Sequence, residues 1–428
     1  MFISTFAYLP GEHSSPFEDD PAIQMYFLEA PVKFLKKDSH IRPDVYKKFA
    51  APYDHTPKYL CIVNALKPRS RGTIRLKSRN PYDAPLIDPN YFDDPRDVDD
   101  IVQGLKTCQR IATSEPMQRV GSKPFETILP GCEDCAGDED RYLECVVRSI
   151  IISFHQAGGS AKMGDPKDPS TVVDPELRIM SSIRNSSCGF KREPGINFHP
   201  QSGAMDIAAE RAYPTPFATS PLLPLLLMSL ATQRNVPKQA MTFKDEYDYI
   251  VVGSGSAGSV VASRLSEEPC VNVLLLEAGH GAPLLNDIPS IGRSFWFTDL
   301  DWAYKTTPQK NIGDSLVNRQ VIFPAGKGLG GSSLLNAMLY VRGNRKNYDD
   351  WAAQGAKGWS FQEVWPYFLK MEDNRDMEYL AGGYHGVGGP LTVEKPRYTS
   401  EIKGPIGEAA QQLGYKIVDS SGARQTGK

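Results

Sequence analysis

The sequence predicts an α/β protein in which a strand–helix–strand unit with parallel strands is joined to a partial α+β region with an antiparallel sheet. Two observations predict this class. Residues 247–279, YDYIVVGSGSAGSVVASRLSEEPCVNVLLLEAG, pass from an apolar strand through a glycine turn and a helix to a second apolar strand. Residues 59–154 alternate short apolar runs, proline-rich loops and helical patterns, which is typical of an α+β arrangement.

The glycine turn has the spacing of a dinucleotide-binding loop. Gly253, Gly255 and Gly258 form G-x-G-x-x-G, which permits a tight turn, a close approach of a pyrophosphate and close packing of helix on strand. The second strand ends at Glu277, where a carboxylate can accept hydrogen bonds from ribose hydroxyls. The predicted cofactor contacts here also include Ser254, Ser256, Ala257 and Ala278. The alternative is a purely structural turn in an ordinary α/β sheet.

Composition narrows the class of partner. The 48 basic and 51 acidic residues give a formal charge of −3, so no basic surplus points to nucleic acid. No apolar run reaches the roughly 20 residues that span a bilayer, and the longest, 221–230, contains two prolines. The N-terminal stretch MFISTFAYLPGEHS lacks the basic region of a secretory signal. A small-molecule ligand is therefore expected.

Seven cysteines cannot all pair within the chain. Cys132, Cys135 and Cys145 lie close in sequence, but no fourth Cys or His follows at the spacing of a zinc site, so no metal is predicted. A surface disulfide between Cys145 and either Cys132 or Cys135 is expected instead.

Several further elements are predicted along the chain. Residues 1–58 are expected to be irregular with some strand, such as Ile23–Leu28, and residues 59–66 and 73–78 are expected to pair as antiparallel strands with one wet face. Asp97 is a candidate N-cap for a helix with an apolar stripe. That stripe comprises Val98, Ile101, Val102, Leu105, Cys108 and Ile111. Helices are also predicted over 141–147 and 361–372.

The composition changes between residues 180 and 243, where Ser, Asn, Gly and Pro dominate and periodicity disappears. The predicted organisation is a first region over 1–180, a linker without fixed structure over 181–244 and a dinucleotide-binding region over 245–428.

The stretch 326–349, GKGLGGSSLLNAMLYVRGNRKNYD, resembles the first signature of the glucose-methanol-choline (GMC) oxidoreductases, most closely their insect glucose-dehydrogenase-like branch. The match runs through Gly330, Gly331, Ser332, Ser333, Asn336, Tyr340, Gly343 and Asp349. The resemblance implies an FAD-binding Rossmann-like domain over 245–428. It adds a second set of cofactor contacts, which comprises Gly326, Gly330, Gly331, Ser332, Asn336, Ala337, Met338 and Leu339.

Residues 59–179 resemble the opposite end of the same family, through LKPRSRGTIRLKSRNPYDAPLIDPNYF and SFHQAGGSAKMGDPKDPSTVVDPELRI. The two parts therefore stand in reverse order. The family's middle segment, with its second signature, and the tail expected after Ile179 are both missing. An end-to-start fusion of two neighbouring family members would produce this arrangement.

The resemblance places the family's active-site histidine at His155, before a glycine turn and Lys162-Met163-Gly164. A neutral imidazole there can accept a hydroxyl proton while a hydride passes to the flavin. The implied function is FAD-dependent oxidation of CH–OH groups in alcohols or sugars, with an unassigned electron acceptor and an extracellular location. The alternatives are a catalytically incompetent fused fragment and an NAD-dependent dehydrogenase, and the 326–349 stretch argues against the latter. Without the family, a lone histidine beside an apolar run is more often structural than a base.

Overall fold

A computed structural model describes residues 2–11, 19–29, 35–36, 39–55, 59–153, 158–180, 240, 242–289 and 291–426, with side chains from residue 5 onward. His155 and nearly all of the predicted linker over 181–244 lie outside these residues. The chain divides into two units. The larger unit contains residues 1–178, 301–325 and 337–428, and the smaller unit contains residues 179–300 and 326–336.

The larger unit combines short sheets with helices. Its strands are β1 (Phe2–Leu9), β2 (Ile23–Glu29), β3 (Tyr59–Ala65), β4 (Thr73–Arg75), β5 (Leu86–Asp88), β8 (Tyr304–Lys305), β9 (Ile322–Phe323), β10 (Glu372–Asn374) and β11 (Leu391–Val393). Its helices are α1 (Pro43–Phe49), α2 (Arg96–Ala112), α3 (Glu115–Arg119), α4 (Glu139–Ser149), α6 (Arg345–Ala353), α7 (Phe361–Met371), α8 (Met377–Leu380) and α9 (Lys403–Gln412). The smaller unit contains β6 (Tyr249–Val252), α5 (Ser256–Leu265) and β7 (Val273–Leu276).

The central strand of the largest sheet is β2, in the antiparallel order β1-β2-β3. Residues 23–28 of β2 are all buried because both faces of the strand are covered. Ile23, Met25 and Phe27 enter one hydrophobic cluster, and Leu28 enters another. The predicted strand at residues 23–28 is thus confirmed. It lies in a regular three-stranded sheet, whereas residues 1–58 were expected to be irregular with some strand.

The predicted pairing of residues 59–66 with 73–78 is wrong. β3 pairs with β2 in the register Ile23↔Ala65, and β4 pairs with β5. The backbone N–H groups of Arg69 and Ser70 donate to the Asp97 carboxylate, which draws the chain toward α2 after β3. All three residues of β4 are exposed, so this strand has no dry face.

Asp97 is not the N-cap of α2. The helix begins at Arg96 and Pro95 is its N-cap, so Asp97 lies in the first turn. Its side chain is buried against residues 69 and 70 and not turned to the helix terminus. The predicted stripe is confirmed in its essentials: Val98, Val102, Cys108 and Ile111 are buried, and residues 101 and 105 are half-buried.

The predicted helices at 141–147 and 361–372 are confirmed as α4 and α7, although residue 372 starts β10 instead of ending the helix. Cys145 pairs with Cys132, one of its two expected partners. Cys132 is buried and Cys145 is half-buried, so the pair lies only partly at the surface. A second disulfide, Cys61–Cys108, joins β3 to α2 and was not predicted.

Helices long and apolar enough to span a bilayer do not occur in the described part of the chain.

Candidate dinucleotide site

β6 and β7 are adjacent parallel strands, as the sequence predicts. Tyr249 aligns with Val273 and Val252 with Leu276, and α5 lies between them in the chain. A short strand–helix–strand connection of this kind brings the carboxyl ends of both strands to one edge of the sheet. The helix begins at Ser256, so Gly253 belongs to the turn before it.

Each glycine of the turn has a distinct environment. Gly253 has a φ of +93°, in the region that favours glycine, and an added Cβ would meet no atom within 4 Å. At Gly258 an added Cβ would come within 2.0 Å of the Gly253 carbonyl oxygen, so this glycine lets the helix pack on the turn. At Gly255 the nearest neighbour of an added Cβ is the Gly331 Cα, 4.0 Å away. The turn therefore has the tight bend, the open middle and the close helix packing of a pyrophosphate loop.

Glu277, directly after β7, is bound to this turn. One of its carboxylate oxygens accepts hydrogen bonds from the Ser254 backbone N–H and hydroxyl, both at 2.8 Å, and the other accepts from Gly279 N–H at 2.9 Å. Burial alone would raise the pKa of Glu277, but the hydrogen bonds from residues 254 and 279 outweigh it and lower that pKa below its usual value. The side chain is therefore a carboxylate at neutral pH, held by donors of residue 254 on one side and of residues 278 and 279 on the other.

The loop after residue 326 folds onto the glycine turn. Gly330 N–H donates to the Ser254 carbonyl at 2.9 Å, and His280 forms a parallel bridge with Gly328. The chain then makes a 3₁₀ turn over Gly331–Leu334, and Gly330 and Gly331 have φ values of +116° and +55°. The two glycine-rich motifs, 76 residues apart at Gly255 and Gly331, are thus packed backbone against backbone.

Glycine is required at these contacts. A Cβ on Gly331 would lie 2.7 Å from the Gly255 Cα, and one on Gly326 would lie 2.0 Å from the Gly331 carbonyl oxygen. Real Cβ atoms do not come this close to backbone, so a side chain at Gly331 would separate the two loops and one at Gly326 would distort the second loop itself. The same holds for Gly279, where a Cβ would lie 2.2 Å from the Lys327 carbonyl oxygen.

The remaining predicted contact residues are divided between the two units. In the smaller unit, Ser256 and Ala257 are exposed at the first turn of α5, and Ala278, Ser332 and Asn336 are exposed near the two loops. The Ser332 hydroxyl accepts from Gly326 N–H at 3.1 Å. Ala337, Met338 and Leu339 are exposed but belong to the larger unit. The structure does not place His155.

Sequence reasoning missed three residues that join the loops, namely Gly279, His280 and Gly328. Their contacts are made by backbone atoms, so no pattern of side chains in the sequence predicts them. The one available signal for this contact was Gly279 itself, because a glycine close to a strand often marks a place where another backbone approaches.

The sheet formed by β6 and β7 has exposed apolar side chains. In the described residues it has two strands, and Ile250, Val252 and Leu276 are 59%, 81% and 41% exposed. Val260 and Val261 of α5 are also about half exposed. Parallel strands are normally buried on both faces, so the described residues leave apolar surface that a parallel sheet ordinarily covers.

Groups of three or more His, Cys, Asp or Glu side chains that could hold a metal ion are absent from the described ranges.

The smaller unit's loops and much of the larger unit match known proteins. The model of the C-terminal part of the GMC oxidoreductase family matches residues 68–182, and the model of the N-terminal part matches residues 247–428. The chain is 46% identical over 182 residues to a glucose dehydrogenase [FAD, quinone] of Drosophila pseudoobscura pseudoobscura, covering 42% of this chain and 29% of that protein. The Drosophila melanogaster protein of the same name is 47% identical over the same coverage.

More distant relatives match a similar share. An oxygen-dependent choline dehydrogenase of Xanthomonas euvesicatoria pv. vesicatoria is 42% identical over 194 residues, covering 42% of this chain and 33% of that protein. A solved pyridoxine 4-oxidase from Mesorbium loti is 32% identical with a TM-score of 0.36, covering 40% of this chain and 33% of that one. That score is too low to support an argument about the fold.

The matched part is thus about a third of the length of these relatives. The two family models together match more than half of the chain, in the reverse of the order that their C-terminal and N-terminal labels give. The match to the N-terminal model includes both glycine loops and Glu277. The chain therefore belongs to the GMC oxidoreductase family.

Proposed function

We propose that the chain is an FAD-dependent oxidoreductase acting on CH–OH groups of alcohols or sugars. The observation that supports this most strongly is the packing of the two glycine loops, with Gly331 against Gly255 and Glu277 bound to the turn. Relatives named for glucose and for choline indicate alcohols as the substrate class without choosing among them.

The residues of the smaller unit fit an FAD pyrophosphate and ribose. Gly253 and Gly255 leave open space where side chains would project, and the first N–H groups of α5 are available to an anion at a helix N-terminus. Glu277 lies directly after β7, at the edge of the sheet where an acidic side chain accepts from ribose hydroxyls, and Ser256 and Asn336 are exposed at the first turn of α5 and in the second loop. When bound, FAD would supply the acceptor for the two electrons that leave the carbinol carbon.

The proposed role of His155 rests on the family resemblance. As a neutral imidazole, it would take the proton of the substrate hydroxyl, a transfer that suits a group whose ordinary pKa lies near 6.5. This proton would be held at one ring nitrogen until it is released to solvent.

The second candidate is a protein that retains family surfaces without catalysis. It is favoured by one observation: the two-stranded sheet exposes Ile250, Val252 and Leu276 in the described residues. An open sheet gives the adenosine side little shelter from water, which would weaken cofactor binding.

An extracellular or secretory-pathway location is also proposed. Two disulfides, Cys61–Cys108 and Cys132–Cys145, support it, because disulfides persist in oxidising compartments.

A flavin absorption spectrum of the purified full chain, recorded before and after addition of FAD and gel filtration, separates the two candidates. The proposal expects retained FAD and reduction of a dye by an alcohol or sugar, with His155→Ala abolishing dye reduction but not FAD retention. Loss of FAD on gel filtration, or retention without any turnover, would favour the second candidate.

A matched pair of glycine variants tests whether this site is responsible. Gly331→Ala should abolish FAD retention because its Cβ meets Gly255, whereas Gly281→Ala should not, since nothing lies within 4 Å of that Cβ. Equal FAD retention by both variants would contradict the assignment of FAD to these loops.

A further inference from the structure

The larger unit builds its hydrophobic cores from both family segments. The first segment is residues 2–178, and the second is residues 301–325 with 337–426. In one cluster, side chains of the first segment enclose Ile406 and Ala409 of α9; they include Leu9, Met25, Phe27, Ile111 and Met117. Ile406 and Ala409 are 2% and 0% exposed, so α9 is fully inserted.

A second cluster repeats this arrangement. Four buried residues of the second segment pack with α2 and α4; they are Ile312, Leu316, Val321 and Phe323. Their partners from the first segment are Phe92, Val98, Val102, Leu143 and Val147. Neither set forms a closed core alone, because each is completed by side chains of the other segment.

Backbone hydrogen bonds also join the segments. Gly313 N–H donates to the Arg148 carbonyl at 2.6 Å, and Ser315 N–H donates to the Ser149 carbonyl at 3.1 Å. On the other side of the same loop, Arg42 N–H donates to the Ser315 carbonyl at 2.9 Å, and Ile41 forms a β-bridge with Leu316. The loop 313–316 is thus held between α1 and α4 by main-chain contacts.

Asp19 provides a buried polar contact between the segments. Its carboxylate accepts from the Thr426 backbone N–H and hydroxyl, each at 2.6 Å, and from Gln425 N–H at 2.9 Å. Gln425 and Thr426 are buried, so removing this acceptor would leave their donors without a partner.

We infer that the two segments carry complementary surfaces that bind one another without the covalent connection through residues 181–239. A chain cut within that connection remains a 1:1 complex of its two pieces, because the apolar cores, main-chain bonds and Asp19 contact all act across the segments. The partner that each surface fits is therefore the opposite segment of this family fold. None of these residues belongs to the glycine-loop site, so the inference is independent of the proposed function.

The test uses the full chain with a specific protease site inserted between residues 181 and 239. After complete cleavage, size-exclusion chromatography with light scattering in native buffer should give one species with the mass of the uncut chain, about 47 kDa plus the insertion. Urea should be needed to separate the pieces. Separate elution of the two pieces in native buffer at micromolar concentration would overturn the inference.

A matched glycine pair locates the contact. Gly355 and Gly358 both have positive φ, +102° and +88°, so alanine is strained at both. A Cβ on Gly355 would also lie 2.6 Å from Asp165 N in the first segment, whereas one on Gly358 would meet nothing within 4 Å. After cleavage, Gly355→Ala should weaken the complex at least about 10-fold relative to Gly358→Ala.

Equal dissociation constants for these two cut variants would refute the proposed contact. Because Gly355→Ala could disturb folding, Asp19→Ala serves as a second variant at a different contact between the segments. It should dissociate at lower urea than the cut parent chain, and an unchanged urea midpoint would again count against the inference.

Discussion

Replacing Glu372 by Gln should destabilise the larger unit, because this side chain is the centre of a buried charge network. Glu372 is 0% exposed and forms an ion pair with Arg342. Its other oxygen lies 2.7 Å from His385 Nδ1 and 2.8 Å from Asn374 Nδ2. The second ring nitrogen of His385 lies 2.7 Å from Asp419.

The magnitude follows from burial. The Arg342 and His385 side chains are 3% and 4% exposed, so solvent cannot replace a lost carboxylate. Removing one partner of a buried ion pair costs about 3–5 kcal/mol. Glutamine keeps one acceptor oxygen and nearly the same volume, so the lower end, about 3 kcal/mol, is expected.

Urea unfolding followed by circular dichroism measures this loss. With a slope of about 2–3 kcal/mol per M, the midpoint should fall by about 1 M or more. The control is Glu267→Gln, whose partner Arg264 is more than half exposed and whose loss should change stability by less than about 0.5 kcal/mol. A Glu372→Gln midpoint no lower than that of Glu267→Gln would refute the reasoning.

Three further predictions concern a buried carboxylate, the pH dependence of stability and the disulfide pairing. Asp97→Ala should lower the free energy of unfolding by about 3 kcal/mol, since it leaves three half-buried donors of Arg69 and Ser70 without their acceptor, and an unchanged urea midpoint would contradict this. The lowered pKa of Glu277 means that its stabilising contribution is complete above its unfolded value of 4.5 and is lost as pH falls through the lower folded value. The parent should therefore lose more stability than Glu277→Gln between pH 5 and pH 3 (about the range of that titration). Equal losses of unfolding free energy in the two proteins would contradict this prediction. Non-reducing peptide mass spectrometry should find Cys132 linked to Cys145 and Cys61 to Cys108, and a Cys132–Cys135 link would be contrary evidence.

The strand–helix–strand unit could be predicted from sequence because all of its signals are local. β6, the glycine turn, α5 and β7 occupy fewer than 30 consecutive residues, and the apolar runs and glycines lie next to the elements they define. The pairing of β3 could not be predicted, since its partner β2 is about 30 residues earlier and residues 73–78 offered a nearer alternating run. After β3, hydrogen bonds from residues 69 and 70 to the Asp97 carboxylate tie the chain to the first turn of α2, and residues 73–75 pair with β5 instead.

The candidate site could likewise be predicted from the sequence only in part. Gly253, Gly258 and Glu277 have environments that their spacing predicts. The contact between Gly255 and Gly331 was not predictable from spacing, because it joins two backbones 76 residues apart and involves no side chain. The disulfide Cys61–Cys108 was missed for a related reason: the cysteines are 47 residues apart, and only the packing of α2 on β3 brings them together.

The reversed order of the family segments affects the two units differently. Closing a longer or rerouted loop costs little, since the entropic cost grows only with the logarithm of its length. The larger unit buries residues 312, 316, 406 and 409 against the first segment in the order that this chain has. The smaller unit is different, because Ile250, Val252 and Leu276 stay exposed in the described residues although its local turn is well formed. FAD retention by the glycine loops together with turnover, rather than the order of the segments, therefore distinguishes an active oxidoreductase from a non-catalytic relative.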